Sequence, residues 1–181
     1  TVGPTKVMFG ELSSARSPSD KGDTATTQKA AKIHAVMTRA DIDTTLSDDI
    51  QSESWKKFVF IAAVGGMTAL TRATLGEILA ATAARDMLAD AMKETEAIAR
   101  AKGANLPENF TDHIFEALKK YDNNSRSSMY HDLANHKPLE IEAFSGTVVK
   151  YGRELGIATP AHKAIYAGLL PHHLKYSRGV R

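Results

Sequence analysis

Trp55 to Arg72 reads WKKFVFIAAVGGMTALTR, two lysines at the mouth of a long uncharged run. From Phe58 to Thr71 no side chain ionises, so the segment is expected to be buried on all sides. A lysine at such an edge lays its aliphatic stem along apolar surface. Partial desolvation of its ammonium lowers the pKa unless a carboxylate compensates, and that combination makes Lys57 a candidate proton donor. The plainer reading is a lysine at the start of a buried helix that snorkels to water. Local sequence leaves both open.

Upstream of this run, Ser47 followed by Asp48 and Asp49 predicts a helix start, with Ser47 as N-cap and the acids at the positive end of the helix dipole. In the helix that follows, Lys57, Ile61 and Gly65 fall on one face, apolar after its first residue. Gly65 with Gly66 leaves room for a ligand or for another backbone to come close.

The 181 residues suffice for one domain of ordinary size, or one domain plus part of another. Hydrophobic residues at 43% and charged residues at 24% imply a packed core rather than a disordered chain. A net charge of +2, from scattered basic residues, gives no reason to invoke nucleic acid. Without cysteine there is no disulfide, thiolate metal site or thiol nucleophile. The longest uncharged run is about 14 residues and holds two glycines, short of the ~18 to 20 that cross a bilayer. Residues 1–12, TVGPTKVMFGEL, lack the basic start and apolar core of a secretory signal. A cytoplasmic protein with no membrane partner is expected.

Thr5 to Leu12 reads as a short strand after Gly3 and Pro4, and Ser13 to Asp23 as a loop or linker. A lone strand has nothing to pair with. It belongs either to the end of a preceding sheet domain or beside the Asp43–Leu46 segment. From Thr24 onward the signals are helical. Ala30, Ile33, Val36, Met37 and Ala40 predict one buried stripe; Ala83–Lys102 predicts a second helix, stopped by Gly103. A further amphipathic segment follows Pro107 and ends near Tyr121, with a turn at Asp122–Arg126 and a short serine-capped helix over Ser127–Asn135. From Pro138, Ile141, Phe144, Val148, Tyr151 and Leu155 give the most regular helical pattern, closed by Gly156. Thr159-Pro160 opens the last helix, and the polar tail from Pro171 is expected to fray. Six or seven helices with little strand predict a mainly α, compact multi-helix domain.

No metal site is expected. Of the seven histidines, His131 and His136 are five apart, off a common helical face, and His172-His173 lies in the tail. No Gly-x-Ser-x-Gly elbow supports a hydrolase, and no glycine-rich phosphate loop is present. Any nucleotide site would lie largely outside this chain. Glu140 and Glu142, after a lysine-proline turn, read as dipole-compensating acids or as functional carboxylates.

Three ordered blocks narrow these readings: WKKFVFIAAVGGMTALTR, SSMYHDL (127–133) and LEIEAFSGTVVKYGRELGIATP (139–160). Together they resemble the C-terminal domain of the ketopantoate reductase (2-dehydropantoate 2-reductase) family. Residues 4–12, PTKVMFGEL, resemble the last strand of that family's nucleotide-binding domain. The resemblance implies residues 1–23 as the end of that domain and a linker. It implies residues 24–181 as a helical substrate-binding domain of the 6-phosphogluconate dehydrogenase C-terminal-like type. It further implies reduction of a small 2-oxo acid with NADPH, bound mainly by a domain outside this chain, and packing against that domain or a second copy in a homodimer. Lys57 matches the catalytic lysine of a Trp-x-Lys motif, the proton donor to the substrate carbonyl. Glu140 matches the glutamate that holds the lysine network and the substrate hydroxyl, and Ser128 the serine that contacts the substrate carboxylate. Ile61 and Gly65 stand where pantoate-forming members carry asparagines, so a bulkier or less polar 2-oxo acid than ketopantoate fits at least as well. A non-catalytic ligand-binding or oligomerisation module on the same scaffold is the alternative, and a helical bundle without a small-molecule site a third.

Overall fold

The computed structural model describes residues 6–12 and 24–177, with side chains of the second stretch from Gln28 onward. Gly3-Pro4, the loop expected at Ser13–Asp23 and the last four residues lie outside the described residues. The chain divides between Ser54 and Trp55 into a small α/β unit and a helical unit.

In the first unit β1 (Lys6–Gly10) and β2 (Asp43–Ser47) pair in parallel, Lys6 opposite Asp43 and Gly10 opposite Ser47. Parallel neighbours need a crossover connection, and α1 (Thr24–Arg39) lies on it. Of the two pairings open to the first strand, it adopts the one with residues 43–47. The predicted burial of the α1 stripe is only partly met: Ala30 is buried, but Ile33 and Val36 are 52% and 56% exposed. The two strands among the described residues form too narrow a sheet to cover the whole helix face.

Helix α2 (Ile50–Thr71) starts two residues later than Ser47 as N-cap suggested. Asp49 is the working cap: its carboxylate accepts from the Ser52 backbone N–H at 3.0 Å and the Ser52 hydroxyl at 2.6 Å, while Ser47 accepts from the Asp49 N–H. From Trp55 on, α2 belongs to the helical unit. It is followed by α3 (Leu75–Ala80), α4 (Thr82–Ala101), α5 (Phe110–Leu118) and α6 (Ser128–Ala134). A π-helical turn (Glu142–Gly146) then leads into α7 (Thr147–Leu155), and α8 (Pro160–Ser177) completes the unit.

Val59, Ala63 and Met67 of α2 pack with Leu88 and Met92 of α4, Ile141, and Ile165 and Leu169 of α8 in one core. The uncharged run is therefore central, although Phe60, Ile61 and Val64 are only half-buried on one side. Helix α3 escapes the apolar periodicity; its signal is the Thr74-x-x-Glu77 capping box, in which the Thr74 hydroxyl accepts from the Glu77 N–H and the Glu77 carboxylate from the Thr74 N–H. Gly103 and Gly156 stop α4 and α7 with φ of 84° and 70°, the left-handed conformation glycine adopts without strain.

Two expectations are corrected. The regular pattern after Pro138 is not one α-helix: Gly146 N–H reaches back to the Ile141 carbonyl, a five-residue step that widens the backbone before α7 begins. Residues 171–177 do not fray, because α8 continues to Ser177. Tertiary bonds hold it there: His173 Nδ1 accepts from the Leu139 N–H at 3.1 Å, and the Tyr176 hydroxyl meets His136 Nδ1 at 2.7 Å.

Candidate functional site

The half-buried side of α2 faces a pocket of about 380 Å³, within the ~300 to 1,000 Å³ range of small-molecule sites. Phe60, Ile61, Val64 and Gly65 form one wall. Leu75 of α3, Met129 of α6 and Phe144 of the π-helical turn supply more of its apolar lining, and Tyr121, half exposed and tilted against Phe60, adds an aromatic ring that carries a hydroxyl. The opposite rim is polar and belongs to the segment entering α6: Ser125, Arg126, Ser127 and Ser128.

That rim is fixed from two sides. The first two N–H groups of α3 have no partner within their own helix; Leu75 donates to the Ser125 carbonyl and Gly76 to the Asn123 carbonyl, both at 2.9 Å. A Cβ on Gly76 would stand 2.7 Å from that of Asn123, so glycine permits this approach. From the other side, Ser127 caps α6 by accepting from the Tyr130 N–H at 3.1 Å, and its hydroxyl lies 2.6 Å from that of Thr68 on α2. The serine cap expected for this helix is thus present and also ties the rim to the pocket wall.

The two adjacent glycines of α2 have different surroundings. A Cβ on Gly66 would come within 2.6 Å of Ile165 Cγ2, so this glycine serves helix packing. A Cβ on Gly65 would meet Phe144 at 3.8 Å and Met129 at 3.9 Å, ordinary contact distances on the pocket surface. Phe144 in turn stands edge-on to Phe58, and Phe58 edge-on to Trp55.

The π-helical turn that presents Phe144 is anchored by a buried polar cluster. His162 of α8 is fully buried, with Nε2 2.9 Å from the Ala91 carbonyl and 2.8 Å from the Thr95 hydroxyl, and Nδ1 3.1 Å from Ser145 Oγ. A carbonyl can only accept, so Nε2 carries the proton and Nδ1 accepts from Ser145. Burial pushes the imidazole down to about 4. Beside it, Glu94 of α4 accepts from the Ala161 and His162 N–H groups at 2.7 and 2.9 Å and caps α8 from outside that helix. Burial holds this carboxyl above the usual range, against the pull of those two bonds.

Ile61, Gly65 and Ser128 therefore meet in one pocket. Lys57 and Glu140 lie outside its lining, both exposed, and among the described residues no ion pair joins them. Lys57 stands one helical turn before Ile61. Glu140 precedes the π-helical turn, its carbonyl accepting from the Phe144 N–H at 3.0 Å. Arg126, Ser127, Met129 and Phe144 were not among the residues singled out as functional. For the first three the signal lay in the polar turn and serine-capped segment; Phe144 reads in sequence as one more apolar helix position. No group of three or more His, Asp or Glu side chains among the described residues could hold a metal.

Residues 49–172 match the family model described as ketopantoate reductase PanE/ApbA, C terminal. The chain belongs to the ketopantoate reductase family. Within that family it is 33% identical over 121 residues to the 2-dehydropantoate 2-reductase of Pyrobaculum aerophilum, an alignment covering 67% of this chain and 43% of the relative. Among solved structures it resembles a dimeric ketopantoate reductase of Staphylococcus aureus, with a TM-score of 0.72 and 27% identity over 86% of this chain and 52% of the other. It likewise resembles a PanE/ApbA family ketopantoate reductase of Ralstonia eutropha, with a TM-score of 0.74 and 27% identity over 81% and 49%. The chain spans about half the length of these ketopantoate reductase family members, and the matched part is their helical C-terminal domain.

Proposed function

We propose that this chain is the substrate-binding half of an NADPH-dependent 2-oxo acid reductase, the helical unit from Trp55 onward forming the substrate domain and the β1–α1–β2 unit, rather than residues 1–23 alone, belonging to the end of a nucleotide-binding domain. The observation that carries the reading is the convergence of Ile61, Gly65 and Ser128 on one pocket, one turn along α2 from Lys57. In the reaction R–CO–COO⁻ gains a hydride at carbon and a proton at oxygen, giving R–CHOH–COO⁻. The hydride would come from NADPH held by the nucleotide-binding domain, since this sequence has no glycine-rich phosphate loop. Negative charge develops on the carbonyl oxygen as the hydride arrives, and the Lys57 ammonium stabilises it and supplies the proton. Glu140 would hold that ammonium in place once substrate and the second domain close over them. Ser128, on the pocket rim, donates to the substrate carboxylate. A cytoplasmic location and a homodimer accompany this reading.

The test is NADPH oxidation by the complete protein over a panel of 2-oxo acids, with Lys57→Ala alongside. Turnover that falls at least 100-fold in the variant, as loss of a positioned acid does, supports the assignment; unchanged turnover removes Lys57 from it. Exposure of Lys57 and its lack of an ion pair with Glu140 favour the second reading, a binding module without catalysis. That reading predicts ligand binding with no NADPH oxidation for any acid.

A further inference from the structure

The pocket sorts its chemistry by position. Gly65, Leu75 and Met129 are buried, and Ile61, Val64 and Phe144 half-buried, so the interior offers apolar surface without a charged group. Among the described residues Arg126 is the sole charged one in the lining, and it is exposed beside Ser128. Its guanidinium lies over the Tyr130 ring at 5.1 Å and forms no ion pair among the described residues. Glu77, the carboxylate that feels its charge, is already committed to the α3 capping box, where Thr74 supplies the larger part of what holds the Glu77 carboxyl below its usual range. The rim cation thus keeps capacity for another anion. A planar guanidinium pairs with a carboxylate through two parallel N–H···O bonds.

We propose that the pocket selects a carboxylate bearing a bulky apolar side chain of aryl or branched-alkyl type, with Arg126 on its rim as the carboxylate anchor and Ile61, Gly65 and Phe144 enclosing the side chain. The substrate class rests on the reductase reading; the binding chemistry does not. A polyhydroxylated or hydroxymethyl side chain finds no donor or acceptor among the Phe60, Ile61, Val64, Gly65, Leu75, Met129 and Phe144 side chains; the hydroxyls of the lining, on Tyr121, Ser125, Ser127 and Ser128, belong to exposed or half-buried residues, and that of Ser127 is already engaged by Thr68 and the Tyr130 N–H. Its hydroxyls would be stripped of water without replacement, which costs affinity. Arg126 acts as a specificity-determining residue for the charged end and Gly65 for the depth available to the apolar end.

Calorimetric titration of the 181-residue chain with 3-phenylpropanoate, 3-phenylpropanamide and pantoate reads this directly, because 3-phenylpropanoate has no carbonyl to reduce. Binding of 3-phenylpropanoate at least tenfold tighter than of pantoate or the amide is expected. Arg126→Gln should weaken the acid tenfold or more and leave the amide unchanged, with Arg126→Lys between. Gly65→Leu should weaken acid and amide together. Equal affinity of the wild-type chain for pantoate and 3-phenylpropanoate, or an Arg126→Gln variant of unaltered affinity with unchanged thermal unfolding, overturns the proposal. The two readings fail separately. Arg126-dependent binding in a complete protein that reduces no 2-oxo acid removes the reductase alone. Reduction of 2-oxo acids with pantoate preferred over 3-phenylpropanoate removes this inference alone.

Discussion

The ring of Phe144 lies 3.8 Å from the place a Cβ on Gly65 would occupy, although the two residues are 79 positions apart and belong to different helical segments. Gly65→Ala should therefore be accommodated, and relief of the helical glycine should stabilise the fold by up to about 1 kcal/mol. Gly66→Ala, one position on, drives a methyl into Ile165 and should cost about 1 to 3 kcal/mol. Urea unfolding of the two variants checks the contrast; equal effects would mean that the two positions are not distinguished by packing.

Ser127 serves both as the cap of α6 and as the partner of Thr68. Ser127→Ala should lose about 1 kcal/mol from the cap and loosen the rim. Faster amide exchange at Tyr130 than at Met67 in the middle of α2 would register that local loss; uniform exchange across both would not fit it.

Ala161 and His162 depend on Glu94 for their N–H groups. Glu94→Ala strands two buried donors at the start of α8, at about 1 to 3 kcal/mol for each if water cannot reach them. A fall in thermal midpoint of several degrees is expected, and Glu94→Gln, which keeps one acceptor, should fall less. A fully stable Glu94→Ala protein would show that water replaces the cap.

His162 makes stability pH-dependent. Its folded pKa of about 4 lies below the ordinary 6.5, so the unfolded chain binds the extra proton between those values. The contribution is complete above pH 6.5 and is lost as pH falls through about 4, roughly 3 kcal/mol in all. Denaturant unfolding between pH 7 and 4 should show this slope, and His162→Gln should flatten it. An equal slope in both proteins would place the titration elsewhere.

The uncharged run and its two flanking lysines were readable because composition alone marks a segment that must be central. The face carrying Ile61 and Gly65 followed from helical spacing. What spacing does not encode is convergence. The π-helical turn looks in sequence like further α-helix, and its wider step is set by Ser145 bonding to a histidine 17 residues on. The extension of α8 past Pro171 depends on His136 and Leu139, which are remote in the chain. Arg126 lay in a segment read simply as a turn; its place on the rim comes from the clamp between α3 and residues 123–125.

That pocket is assembled from segments that begin at Phe60 and end at Phe144, so no short peptide of this chain contains it. A ligand bound there engages only the folded unit, and mass action then makes occupancy visible as melting temperature. At a hundred times its dissociation constant such a compound adds about 2.7 kcal/mol to stability. Heating this chain against a library of carboxylates would thus rank them by affinity with no cofactor, no second domain and no turnover.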